Sequence, residues 1–144
     1  MFRLRKIHIV LIAAALLLTA CGGGQSASDT GEVQITLTDF GIESSVTEFK
    51  VGVPYRFVVT NAGAVNHEFM IMAPLTEDQM GMTMDMHELD EAALAMIAED
   101  ELPPGATATL EFTFAEAAGE GSLEFACHTP GHYEAGMELP IVVK

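Results

Sequence analysis

The last 24 residues decide the fold of this chain, and they read Gly121-Ser-Leu-Glu-Phe-Ala-Cys127-His-Thr-Pro-Gly-His132-Tyr-Glu-Ala-Gly-Met137-Glu-Leu-Pro-Ile-Val-Val-Lys144. A thiol (Cys127), an imidazole (His132) and a thioether (Met137) fall here within eleven positions. On either side of them apolar and polar residues alternate, which is typical of β-strands with one buried face. The stretch therefore predicts two strands joined by a loop that carries three potential metal ligands.

The same alternation recurs upstream and predicts an all-β fold. It is clearest at residues 106–114 and is repeated at 33–38, 55–60 and 67–72. Residues 42–51 form a weaker strand candidate, because their apolar positions do not keep a steady period of two. Six or seven short strands of this kind predict an antiparallel β-sandwich that buries one face of each sheet.

One long connection, residues 73–101, departs from the strand pattern. Apolar residues recur at helical spacing in its second half, and Asp85 followed by Glu88 has the spacing of a capping box. These features predict one inserted helix at roughly residues 86–98. Just before it four methionines alternate along the chain, at positions 80, 82, 84 and 86.

Strand parity selects the side chains that face the interior of the sandwich. His67, far upstream, has the parity of its inward-facing neighbours Phe69 and Ile71, and Cys127 and Met137 are inward at the ends of their own strands. By the same rule His128 points away from Cys127 and is excluded. A thiolate, two imidazoles and a thioether form a ligand set that suits copper in both oxidation states. An inward histidine taken alone, however, is more often a core residue with satisfied hydrogen bonds.

The first 31 residues predict an address outside the cytoplasm. Residues 1–20 have a basic start and an apolar middle too short to span a bilayer, as in an export signal. The stretch Leu18-Thr19-Ala20-Cys21-Gly22 resembles a bacterial lipobox, which implies lipidation of Cys21 and a cell-membrane anchor. A plain signal peptide or membrane anchor is the alternative. Residues 21–31 are small and polar and predict a flexible tether, so residues 32–144 form the predicted domain.

Cysteine count and charge restrict the function further. With Cys21 acylated, Cys127 has no cysteine partner, and a lone thiol in an oxidising compartment needs protection such as metal coordination. Removal of the signal leaves three basic residues against 21 acidic ones, which disfavours nucleic acid as a partner. The excess of acid suits a basic protein partner, and it equally suits the solubility of a tethered domain.

The spacing Cys127-x4-His132-x4-Met137, with His67 upstream in Val58-Val-Thr-Asn61-Ala-Gly63-Ala-Val-Asn-His67, resembles the type 1 (blue) copper site of the cupredoxins, the plastocyanin and azurin family. The resemblance covers most of residues 32–144. It implies a Greek-key sandwich and one copper ion, with His67, Cys127 and His132 as trigonal ligands and Met137 as the long axial ligand. It also implies an electron carrier rather than an enzyme. We therefore expect a monomer that exchanges single electrons with a donor and an acceptor protein.

Within the resemblance, His132 is the expected electron port, bordered by Pro130, Ala135 and Gly136. One residue departs from the family pattern. Cupredoxins often carry a polar amide directly after the first histidine, where it ties the two ligand loops together, and here Glu68 occupies that place. The hydrogen bonds around the ligands, and through them the reduction potential, are therefore expected to differ from those of the family.

Two other functions compete with electron transfer as interpretations of the sequence. The loop also resembles the C-terminal motif of multicopper oxidases, but Ala126 replaces one of the flanking histidines, and the chain has no His-x-His pair for a catalytic copper cluster. The second is a copper chaperone or copper-tolerance lipoprotein, in which the thioethers of residues 80–86 would hold a further Cu(I) ion. The simpler interpretation of these methionines is an adaptable apolar lid over the sandwich.

Overall fold

The computed structural model describes residues 31–76, 79 and 85–144. The predicted signal peptide, the lipidation site Cys21, most of the tether and the methionines at 80, 82 and 84 lie outside these residues. Among the described residues, no helix combines the length and the hydropathy needed to cross a bilayer.

The described residues form nine strands and one short α-helix, where the alternating pattern predicts six or seven strands. The strands are β1 (Gly31–Thr38), β2 (Gly41–Ser44), β3 (Glu48–Phe49), β4 (Pro54–Asn61), β5 (Phe69–Met72), β6 (Ala95–Ile97), β7 (Thr107–Thr113), β8 (Ala118–Ala126) and β9 (Glu138–Val143). Helix α1 (Met86–Ala92) lies between β5 and β6, and a single 3₁₀ turn follows at Glu99–Glu101.

These strands build two sheets that pack face to face. The first sheet has the order β2-β1-β4-β7, and the second has the order β3-β9-β8-β5-β6. Residues on the inner faces of both sheets form one buried apolar core. The predicted β-sandwich is therefore confirmed.

The prediction that all strands are antiparallel is wrong, because each sheet contains one parallel pair. β1 runs parallel to β4, and β3 runs parallel to β9. The reason lies in the weak strand candidate at 42–51, which splits into β2 in the first sheet and β3 in the second. After β3 the chain returns to the first sheet as β4 in the direction of β1. Such a crossover replaces the hairpin that an antiparallel neighbour would have.

The inserted helix is shorter than predicted. The capping box is present, since the Asp85 side chain accepts from the Glu88 N–H and the Glu88 side chain accepts from the Asp85 N–H. The helix ends at Ala92, however, and Met96 and Ile97 belong to β6, where they pair with Met70 and Phe69 of β5. Because two strand residues can mimic helical spacing over a short run, the periodicity extended the helix too far.

Aromatic rings fill the centre of the sandwich. The Phe49 ring lies 5.0–5.8 Å from the ring centroids of four other aromatic residues, which come from both sheets: Tyr55, Phe57, Phe114 and Phe125. Phe49 belongs to a two-residue strand at the edge of the second sheet. This short strand is therefore held in place by the burial of one ring more than by its ladder hydrogen bonds.

We expect Phe49→Ala to lower the free energy of unfolding by about 3–5 kcal/mol, because the substitution opens a cavity among four rings. Urea titration of the metal-free protein measures this change. Phe40→Ala is the matched control, since the Phe40 ring is exposed, and it should change stability by less than about 0.5 kcal/mol. Equal effects of the two substitutions would contradict this account of the core.

Candidate metal centre

Three of the four predicted ligands converge at one end of the sandwich. The Nδ1 atoms of His67 and His132 lie 3.1 Å apart, and Cys127 Sγ lies 3.9 Å from the first and 3.5 Å from the second. The centre of a triangle of this size lies roughly 2 Å from each corner, close to the length of a metal–nitrogen bond and slightly short of a metal–sulfur bond. The donor set and its spacing therefore fit one metal ion.

The fourth predicted ligand, Met137, belongs to the same buried group. Its side chain is fully buried in the core cluster that also contains Cys127. The Cys127 N–H donates to the Met137 carbonyl at 3.1 Å, and the Met137 N–H donates to the His132 carbonyl at 3.1 Å. These two hydrogen bonds close the loop between β8 and β9 and hold the backbones of its three ligand-type residues close together.

The loop that carries His67 is fixed from below by a buried amide. The Asn61 side chain donates to the carbonyls of Val65 and Leu102, both at 2.8 Å, and accepts from the Gly63 N–H. The His67 N–H itself donates to the Leu102 carbonyl. The Asn61-Ala-Gly63 turn thus fixes the conformation of this loop, and with it the position of the His67 imidazole.

A carboxylate orients the His67 ring from the side opposite the thiol. Asp39, in the turn between β1 and β2, lies with Oδ1 3.2 Å from His67 Nε2 and accepts from the Ala64 N–H at 2.8 Å. This contact leaves Nδ1 free to face the other two ligand atoms. A carboxylate on the outer nitrogen of a ligating histidine fixes its tautomer and raises its basicity.

Burial disfavours the charged forms of the Cys127 and His67 side chains. Burial raises the pKa of the Cys127 thiol, although hydrogen bonds from Thr129 and the backbone oppose the shift. Burial also lowers the pKa of His67, with the Asp39 hydrogen bond opposing it and the His132 ring adding to it. A bound metal cation would reverse the first preference, since it stabilises a thiolate, and would strengthen the second, since it binds the neutral imidazole.

Glu68 connects the two ligand loops, which is the role that a polar amide has in many cupredoxins. Its side chain is only 2% exposed, and its Oε1 accepts from the His128 N–H at 2.7 Å. This hydrogen bond joins the His67 loop to the Cys127 loop. Burial raises the pKa of Glu68 to about 6, with Asp90 and Glu99 nearby adding to the shift and the backbone donor opposing it.

His128 lies outside the ligand group, as parity predicted. Its ring stacks on the Tyr133 ring with centroids 4.4 Å apart, and the Tyr133 hydroxyl donates to Glu124 Oε1 at 2.8 Å. Tyr133 therefore packs and donates a hydrogen bond on the outer side of the second sheet.

Asp39 is the residue near the centre that sequence reasoning missed. It stands 28 positions before His67, in a turn with no distinctive motif, and the contact depends on how two separate loops approach each other. Glu68 departs visibly from the family pattern, but its hydrogen bond to the His128 backbone depends on how two distant loops pack together.

Known proteins resemble the chain at both the sequence and the structural level. It is 30% identical over 126 residues to the copper-resistant cuproprotein CopI of Rubrivivax gelatinosus, covering 84% of this chain and 71% of that protein. It is also 30% identical over 147 residues to the CopI protein of Pseudomonas aeruginosa, covering 83% and 80%. No protein-family model matches the chain.

The solved structures that the fold resembles include two auracyanins and a rusticyanin. Reduced auracyanin from Roseiflexus castenholzii matches with a TM-score of 0.57 and 21% identity over 81% of this chain and 98% of that one. Auracyanin B matches with a TM-score of 0.59 and 20% identity over 79% and 88%. A rusticyanin variant matches with a TM-score of 0.56 and 21% identity over 80% of this chain and 77% of that one. At this level of identity the likeness establishes the fold alone.

We expect Gly63→Ala to disrupt the centre, because a Cβ at this position would lie 2.6 Å from His67 Nε2 and would overlap the Asp39 carboxylate. The predicted cost is about 1–3 kcal/mol in the free energy of unfolding, together with weaker metal binding. Urea titration and metal competition measure the two effects. Gly119→Ala is the control, since its Cβ meets nothing within 4 Å, and an equal effect there would contradict the prediction.

We expect Glu68→Gln to stabilise the metal-free protein by on the order of 1 kcal/mol at pH 7, because the amide oxygen can still accept from the His128 N–H while the buried charge is removed. In the metal-loaded protein the reduction potential should rise, since a negative charge that favours the oxidised ion is gone. Urea titration and voltammetry test the two expectations. Glu120→Gln, at an exposed position, should change neither quantity.

Proposed function

Because this chain belongs to the family of copper-resistant cuproproteins named CopI and has the cupredoxin fold, we propose that it holds one type 1 copper ion and carries single electrons between protein partners. The observation that carries this proposal is the triangle formed by His67 Nδ1, His132 Nδ1 and Cys127 Sγ. A trigonal His₂Cys set with a weak thioether is typical of copper sites that transfer electrons.

Each ligand has a distinct role in the proposal. His67 and His132 bind through Nδ1, Cys127 binds as the thiolate, and Met137 provides the weak axial thioether. When bound, the copper ion supplies the one-electron redox couple. The thiolate and thioether favour Cu(I), while the imidazoles suit Cu(II), so that both oxidation states are accommodated by one set of side chains.

The scaffold supports electron transfer because it holds the ligands in place. His67, Cys127 and Met137 are fully buried, and each residue is tied to a strand or to a neighbouring loop by a backbone hydrogen bond. Ligands that cannot relax keep nearly the same geometry in both oxidation states, which lowers the reorganisation cost of each transfer. We therefore propose a carrier rather than an enzyme.

His132 is the proposed point of electron entry and exit. It is the one partly exposed member of the described group of three, and Pro130, Ala135 and Gly136 beside it are exposed. Phe40, 78% exposed, lies next to this loop, since its carbonyl oxygen would be 3.7 Å from a Cβ at Gly136. A small apolar rim around the imidazole would let a partner approach closely without desolvating charge.

The proposed surroundings of the protein follow from the rest of the sequence. We place it at the outer face of the cell membrane, tethered through a lipidated Cys21, as a monomer. Its acidic surface favours a basic redox donor or acceptor and disfavours nucleic acid. These proposals rest on the composition and on the lipobox resemblance.

Copper tolerance is the second candidate function. It is favoured by the relatives, which are named as copper-resistant cuproproteins in two organisms. In this case the domain would bind surplus copper rather than pass electrons between protein partners. Both candidate functions need the same copper centre. In the first the centre exchanges electrons with partner proteins, and in the second it takes up copper ions.

We expect the purified protein to develop an intense thiolate-to-copper absorption band on addition of one equivalent of Cu(II), and Cys127→Ser to abolish it. Absorption and electron paramagnetic resonance spectra test this expectation. Circular dichroism checks that the variant is folded. A pale, ordinary Cu(II) spectrum in both proteins would overturn the type 1 assignment.

We expect Ala135→Glu to slow electron self-exchange by at least about tenfold while leaving the absorption band unchanged, because a charged side chain beside His132 would prevent close approach. Exchange broadening of NMR signals in mixtures of reduced and oxidised protein measures the rate. Ala117→Glu adds the same charge at an exposed position before β8, at the opposite end of that strand. If both variants slow exchange equally, His132 is not the port.

A further inference from the structure

The outer face of the second sheet carries a cluster of soft side chains that the copper centre does not use. Met70 and Met72 are fully buried there together with Leu89 and Ala126, and Met96 and Tyr133 pack against them. Met70 lies opposite Met96 on one side and opposite Ala126 on the other. Helix α1 covers this face through Leu89.

His128 borders the cluster, and one nitrogen of its imidazole ring is buried without a hydrogen-bond partner among the described residues. It is only 7% exposed, and within the described part of the chain its Nε2 has neither solvent contact nor a hydrogen-bond partner. Its ring stacks on Tyr133, which in turn packs against the methionine cluster. A buried polar atom without a partner costs about 1–3 kcal/mol, so its retention calls for a ligand or a role.

Strand register places the imidazole near the Met70 side chain, which itself lies opposite Met96. His128 follows Ala126 by two positions and therefore lies on the same outer face as Ala126, whose direct partner is Met70. The His128 N–H is also bound by Glu68, which precedes Met70 by two positions. Diagonal neighbours of this kind are within reach of long side chains.

An acidic cavity leads to the same cluster. It has a volume of about 460 Å³, includes Met96 in its wall, and is otherwise lined by Asn66, Glu68, Asp90, Ala98, Glu99 and Asp100. Asp90 Oδ1 is buried there without a hydrogen-bond partner among the described residues. Because carboxylates raise the local concentration of cations, this cavity would draw a metal ion toward the Met96 side chain.

We propose that this outer face binds a second copper ion as Cu(I), through Nε2 of His128 and the thioethers of Met70 and Met96. Thioether sulfur and imidazole nitrogen are the donors that Cu(I) prefers, whereas hard cations prefer oxygen. This second site would add copper-storing capacity to the copper-tolerance function. It rests on the proposed function only in requiring that the protein is exposed to copper ions. The type 1 centre can exist without this second ion, and the second ion without the first.

The test is an anaerobic titration of the full-length protein with Cu(I) against a competing chromogenic chelator. We expect two Cu(I) ions per wild-type chain. His128→Leu should bind one, and Met70→Leu combined with Met96→Leu should weaken the second ion at least tenfold. His87→Leu is the matched control, because this histidine of helix α1 is exposed, and it should retain both ions. Wild-type stoichiometry of one, or a second ion unaffected by His128→Leu, would overturn the proposal.

Two further measurements keep the outcome interpretable. After oxidation, the thiolate-to-copper band should persist in every variant, which shows that the fold and the first centre are intact. Its absence in the wild type would count against the type 1 proposal and not against the second ion. In wild-type protein labelled at the methionine methyl groups, the Met70 and Met96 signals should shift with the second equivalent of Cu(I). Unshifted signals would place the ion elsewhere and contradict the site.

Discussion

Two consecutive backbone N–H groups, those of Cys127 and His128, hold the three segments of the metal centre together. The first donates to the Met137 carbonyl and the second to the Glu68 carboxylate. One hydrogen bond closes the ligand loop, and the other joins that loop to the segment of His67. Because both donors sit where β8 ends, the position of the thiol fixes the positions of its partners. The sandwich behind it supplies the stiffness that the centre requires.

The alternation of side chains along β8 gives its end two different environments. Cys127 points into the core beside Met137, while His128 points to the outer face beside Tyr133. One strand end therefore serves two groups of side chains with metal-ligand chemistry, which are separated by the thickness of a sheet. This arrangement explains why parity alone could exclude His128 from the first group, and why it could not show that the excluded ring is buried.

Sequence reasoning recovered the features that depend on local pattern. Strand faces, the Asp85 capping box and the grouping of His67, Cys127 and His132 follow from period-two alternation, from a short motif and from a ligand spacing shared with a family. It failed for the features that are determined by which distant segments pair with each other. The parallel pairs, the early end of helix α1 at Ala92 and the contact of Asp39 with His67 depend on which segments meet, and alternation is the same for parallel and antiparallel neighbours.

The turn between β1 and β2 links the surface to the interior in a further way. Phe40 projects into solvent, and its chain neighbour Asp39 touches the outer nitrogen of the His67 ring. A protein that binds over Phe40 presses on the same turn that sets the basicity of a ligand. If the Asp39 contact differs between the two oxidation states of a bound ion, the affinity of that protein would depend on the oxidation state, and by thermodynamic linkage its binding would shift the midpoint potential by the same coupling energy. Such reciprocity would let a carrier release its partner once the electron has moved.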